Sequence, residues 1–179
     1  MAGKRIIRSY KDFVDKVKVG QPVPPRPEGR HYENDYTAIR TWFDGRTTWT
    51  DDDVRLGCLM VYGWMPTIFR YGKDSGFADI AEAMNEGTIP TSRMNFCNNS
   101  YVGTSKFLHF WRPQEFAIWD SRICKLLGWG CVADTAKNFL TYQYFVRKFA
   151  DELKLADETQ SLSLRDIEQS LFRQTWDEQ

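Results

Sequence analysis

The sequence predicts an all-α fold from three observations. Apolar residues recur at three- and four-residue spacing in nearly every segment, most such runs open on a residue suited to capping a helix, and no period-two alternation competes. The 179 residues are 42% hydrophobic and 15% aromatic, which excludes disorder for the bulk of the chain and suffices for a single all-α domain over 1–179.

The elements follow in order. Ser9 precedes Tyr10, Phe13, Val14 and Val17 at helical spacing, with Asp12 placed to close a capping box and Gly20 to stop the helix. Pro22, Pro24, Pro25 and Pro27 then forbid regular hydrogen bonding, so residues 21–30 read as an extended strap. Tyr32, Tyr36, Ile39 and Phe43 keep one face of a second helix, which Asp44 and Gly45 end. Thr50 to Asp53 stabilise a first turn by capping and through the helix dipole. They open VRLGCLMVYGWM, apolar nearly all round and expected to be central, which Pro66 ends or kinks. Phe77 to Glu86 forms a helix closed by Gly87, and Ile89-Pro90-Thr91 starts the next. Asn98-Asn99-Ser100 is a break, after which Thr104 or Ser105 recaps a short helix through Lys106, Leu108 and Trp111. Beyond Pro113, Asp120 caps the helix SRICKLLG, terminated by Gly128. Asp134 caps the longest helix, through Phe139, Phe145, Val146, Phe149 and Leu153, and Ser163 starts a final one through Leu164, Ile167, Leu171 and Phe172.

Composition excludes several function classes. The longest uncharged stretch, the fourteen residues between Arg55 and Arg70, falls short of the ~20 needed to span a bilayer. No membrane partner is expected. The basic N-terminus lacks the apolar core of a signal peptide, so an intracellular, cytoplasmic protein is expected. Cys58, Cys97, Cys124 and Cys131 lie 39, 27 and 7 residues apart, matching no zinc or iron–sulfur spacing, and His31 and His109 are the only histidines. Buried free thiols, no metal and no cofactor are the expectation. Zero net charge hides four blocks: residues 1–31 and 91–150 each carry eight bases and three acids, whereas 32–90 and 151–179 are each acidic by five. The basic third block permits a local anion-binding face.

Asp120 is the most informative acid, placed between Trp119 and a helix start, where backbone N–H groups orient a carboxylate; it reads as an ordinary N-cap or as a cleft-facing acid or base. Lys106 ends the turn Tyr101-Val102-Gly103-Thr104-Ser105 and is either a solvated base or a nucleophile, a role for which a lysine needs burial or a neighbouring cation. The N–H groups of Gly103, Thr104 and Ser105 suit a phosphate, and Arg93, Arg112, Arg122 and Lys125 either track a nucleic-acid backbone or form a solvated face. His109 reads as a hydrogen-bonded core residue. Trp64, Trp111 and Trp119 pack in a core or stack on a base. No GxSxG elbow and no GxxxxGK[ST] loop occurs.

Taken together, GTSKFLHFWRPQEFAIWDSRICKLLG, within about residues 100–130, resembles the helix-hairpin-helix DNA glycosylase superfamily. The shared pattern is a glycine turn, a lysine just inside the next helix, a proline-containing connection, and an aspartate opening a helix that ends Leu-Leu-Gly. The resemblance implies that Asp120 assists departure of a base and activates the attacking group, that Lys106 attacks the sugar to form a Schiff base, and that Gly103 donates to a DNA phosphate. It also extends to phage α-glutamyl/putrescinyl-thymine pyrophosphorylases, which implies an alternative: a transferase adding an amino acid or polyamine to a hypermodified pyrimidine, with Asp120 as general base. A third reading is a non-catalytic DNA- or protein-binding helical domain in which Asp120 is only a cap.

Overall fold

The computed structural model describes residues 6–17, 32–64, 76–88, 94–129, 135–156 and 162–175. Among these are eight α-helices and no strand, so the chain is all-α. In order they are α1 (Tyr10–Lys16), α2 (Tyr32–Asp44), α3 (Asp51–Trp64), α4 (Phe77–Asn85), α5 (Tyr101–Trp111), α6 (Ser121–Leu126), α7 (Ala136–Ala156) and α8 (Leu164–Gln174). The strap at 21–30, the start at Ile89-Pro90-Thr91, Pro66 and the cap at Asp134 lie outside the described residues. The chain divides into two units, one of Met1–Arg26 with Pro113–Gln179 and one of Pro27–Arg112.

In the continuous unit, α3 packs on α2, α4 and α5. Its start follows from the sequence: Asp53 N–H donates to Thr50 Oγ1 at 3.2 Å, and Thr50 N–H returns the bond to Asp53 Oδ2 at 3.0 Å. α3 is central to this unit, but its apolar surface is not covered all round, since Leu56 and Leu59 are exposed, at 45% and 40%. Three partner helices cover its other sides, where Val54, Gly57, Cys58, Val61 and Tyr62 are buried. A Cβ on Gly57 would lie 2.5 Å from Phe107 Cε2, so the missing side chain is what lets α5 approach. Phe107 meets Phe43 edge-on at 5.1 Å, and Phe96 at 5.0 Å, forming an aromatic core. Asn85 clamps the connection before α3, accepting from Trp49 N–H at 2.7 Å and donating to Trp49 O at 2.8 Å.

A second correction concerns α5. It begins at Tyr101, with Ser100 as N-cap, rather than at Thr104 or Ser105. Residues 94–99 are turns, and Asn98 and Asn99 take φ of 61° and 52°, the left-handed conformation that asparagine tolerates. The supposed turn at 101–105 is therefore the start of the helix itself. Gly103 is there for space, since a Cβ would lie 2.6 Å from Tyr62 Oη and 2.7 Å from Cys97 O.

In the discontinuous unit, α7 packs on α1 and α8, and α8 on α6. The capping box of Ser9 and Asp12 forms as expected, and Ser163 makes another with Asp166. Phe13, fully buried, sits 5.5 Å from Phe145 and 6.3 Å from Phe149, while Tyr10 Oη donates to Glu152 at 2.6 Å. The N-terminal segment is tied to the end of α6, where Ile7 N–H donates to Leu127 O at 3.0 Å and Trp129 Nε1 to Ile7 O at 2.6 Å. Gly128, at φ 75°, ends α6.

Candidate functional site

Asp120 is held by two neighbouring devices. Phe116 to Trp119 is a buried, non-helical segment, so its backbone polar groups need partners other than water. Gln143 of α7 supplies both for Ala117, accepting from its N–H at 2.9 Å and donating to its carbonyl at 2.7 Å. Trp119, fully buried, then lies 4.9 Å from Tyr142 and 5.5 Å from Trp129. With the segment fixed, Asp120 (φ −133°, ψ 148°) caps α6, its Oδ1 accepting from Arg122 N–H at 2.8 Å. The capping role is thus present, and the residue is half-exposed.

Beneath Asp120 lies a buried polar group that sequence reading missed. Tyr142 is fully buried, and its hydroxyl has no hydrogen-bond partner among the described residues. Burial, then the Glu168 and Asp120 carboxylates, push this phenol well above its ordinary range, and Arg165 opposes them. Glu168, 3% exposed, pairs with Arg165 on α8. Tyr142 therefore stays a neutral donor near two carboxylates. The signal was present: Gln143 and Glu168 fall at i+4 from the buried Phe139 and Leu164, the spacing of a core face.

The two cations of this unit that the sequence singled out sit on α6. Arg122 and Lys125 are exposed and three residues apart, a spacing that puts them on one face. The Arg122 guanidinium lies 5.5 Å from the Phe172 ring centre. Trp119 is enclosed by its neighbours, so it is core in this conformation and presents no face outward.

The remaining candidates belong to Pro27–Arg112. Lys106 is 6% exposed, buried in α5 rather than solvated. Gly103, Thr104 and Ser105 are buried with it, and their polar groups are engaged locally. Gly103 N–H donates to Ser100 Oγ at 3.3 Å, Thr104 N–H to Ser100 O at 2.9 Å, and Ser105 Oγ to Val102 O at 2.8 Å. His109 is a buried core residue, sharing a 2.8 Å hydrogen bond between Nε2 and Tyr36 Oη. Trp64, half-buried at the end of α3, meets Phe110 edge-on at 5.3 Å. Arg112 lies 4.0 Å from the Trp111 ring centre, and both are half-buried. Arg93 lies outside the described residues.

Cys58, Cys97 and Cys124 are free and buried, and Cys131 lies outside the described residues. No group of three or more His, Cys, Asp or Glu side chains among the described residues is arranged to hold a metal. No described helix is long and apolar enough to cross a membrane. In comparisons with known proteins, no family model, curated protein or solved structure matches this chain.

Proposed function

We propose that this chain processes bases in DNA, with Asp120 as the acid or base that acts on a flipped-out nucleotide. The observation that carries the reading is the setting of Asp120: half-exposed, fixed by Arg122 N–H, and followed on the same helix by the exposed cations Arg122 and Lys125. A carboxylate beside groups suited to phosphate is what acting on a sugar–base bond requires. The sequence resemblance around Asp120 supports the same role. Arg122 and Lys125 supply phosphate contacts on the helix that Asp120 caps; within the unit Pro27–Arg112, Arg112 is a phosphate candidate and Trp64 and Trp111, both partly exposed, are stacking candidates. Lys106 is the secondary residue, needed only if the strand is also cleaved.

The test incubates the protein with a panel of damaged and hypermodified DNAs, single- and double-stranded, and weighs the bases released and, after digestion, the nucleosides altered. A released base indicates a glycosylase, and an added amine or amino acid indicates the transferase. Asp120→Asn should abolish either activity while leaving the thermal melt nearly unchanged, because asparagine caps a helix about as well as aspartate. Full turnover in a folded Asp120→Asn protein sinks the assignment. Borohydride trapping of a covalent adduct, lost in Lys106→Gln, would assign the lysine as nucleophile. DNA affinity that stays flat between low and moderate salt would leave the phosphate contacts without support.

A further inference from the structure

We propose that the outer face of α7 pairs antiparallel with the same face of a second copy of this chain, forming a two-fold symmetric dimer. Leu155, 86% exposed, and Leu140 and Tyr144, each 53%, are the most exposed large apolar side chains among the described residues, and all three lie on α7. Apolar residues scattered singly over a surface are ordinary, whereas three gathered on one helix face mark a contact surface.

Their spacing fits a helix pair. The inner face of α7, through Phe139, Tyr142, Val146 and Phe149, is buried within its own unit, while Lys137, Leu140, Tyr144, Arg147, Asp151 and Lys154 are all exposed. These six alternate three- and four-residue intervals, the repeat of a coiled-coil seam. With 21 residues, α7 offers a seam about 30 Å long.

Charge chooses the orientation and the register. A parallel pair sets Arg147 against Arg147 and Asp151 against Asp151. In an antiparallel pair with Arg147 opposite Asp151 of the second copy, the two-fold axis makes the same ion pair twice. That register also sets Tyr144 opposite Lys154 of the second copy, a cation against a ring, and brings Leu155 level with the gap between that copy's Leu140 and Tyr144. Neighbouring charges on α7 are already used within the chain: Lys148 pairs with Glu152 at 3.9 Å and lies 4.4 Å from the Tyr10 ring centre. Arg147 and Asp151, although four residues apart, form no ion pair with each other; Arg147 Nε donates instead to Gln143 O at 3.3 Å.

The experiment follows the mass of the full chain by sedimentation at rising concentration. One helix pair buries an area at the low end of the ~1,200–2,000 Å² of specific complexes, which places the dimer in the micromolar range. The mass should climb from 21.0 kDa toward twice that value across about 1–200 µM. Leu155→Asp should hold the chain at 21.0 kDa with an unchanged thermal melt in dilute solution, where the residue is solvated. Arg147→Asp should weaken the dimer about tenfold, and adding Asp151→Arg should restore it, because the double swap rebuilds both ion pairs. A chain that stays monomeric throughout overturns the proposal, as does a dimer that survives Leu155→Asp or that a folded double-swap variant fails to restore. A monomer whose DNA binding is weakened by Leu155→Asp overturns it too and assigns the face to nucleic acid.

Discussion

A carboxamide donates from one end and accepts at the other, and Gln143 spends both on Ala117, three residues before Asp120. Gln143→Glu keeps the shape but loses the donor and places a carboxylate where the side chain is 2% exposed. We expect a loss of about 3 kcal/mol in a urea melt, larger than a surface change gives. A loss under 0.5 kcal/mol, the scale of ordinary surface substitutions, would show that the segment is held by its apolar contacts alone. At this scale the sequence was legible for Asp120, because an aspartate before SRICKLLG has an immediate local use as a cap. For Gln143 the spacing from Phe139 marks a core face but not the backbone it binds, and for Tyr142 the role depends on which charges lie opposite it. Between the two readings of Lys106, solvated or buried, the sequence could not choose, since burial of a lysine is decided by helices distant in sequence.

Caps carry the element scale, and three are reciprocal pairs: Ser9 with Asp12, Thr50 with Asp53, and Ser163 with Asp166. Each lies within four residues of sequence, which is why these helix starts could be read directly. The start of α5 could not, because Gly103 resembles a turn glycine and only Tyr62 and the Cys97 carbonyl explain it. The hydrogen bond from the Thr50 hydroxyl, more than any other cause, holds the Asp53 carboxyl below its usual range; the Thr50 N–H and Arg46 add to it, and burial opposes. A carboxyl that binds its proton less readily folded than unfolded stabilises the fold above the unfolded value, near 4, and that contribution is lost as pH falls further. Thr50→Val should therefore lower the melting temperature at pH 7, and the deficit should shrink as pH drops below about 4. A deficit independent of pH would mean that only the hydroxyl's own bond matters.

For the whole molecule, the division into two units sets an expectation about fragments. The unit Pro27–Arg112 draws its described core, Phe43, Trp49, Phe107 and Phe110 among others, from one continuous stretch. Expressed alone, residues 27–112 should keep helical circular dichroism and melt cooperatively, whereas residues 113–179 alone should not, because Phe13 of α1 fills the space beside Phe145 and Phe149. A cooperative melt of 113–179 without α1 would contradict this. The split was not legible in the sequence, where helical periodicity marks elements but carries no sign of which distant helices share a core. It also bears on the order of synthesis. Tyr10 meets Glu152, 142 positions later, so at ~5–20 residues per second α1 waits about 7–30 s on the ribosome for its partner. Every residue of Pro27–Arg112 has been made by then, and the first of the described helices is among the last to settle.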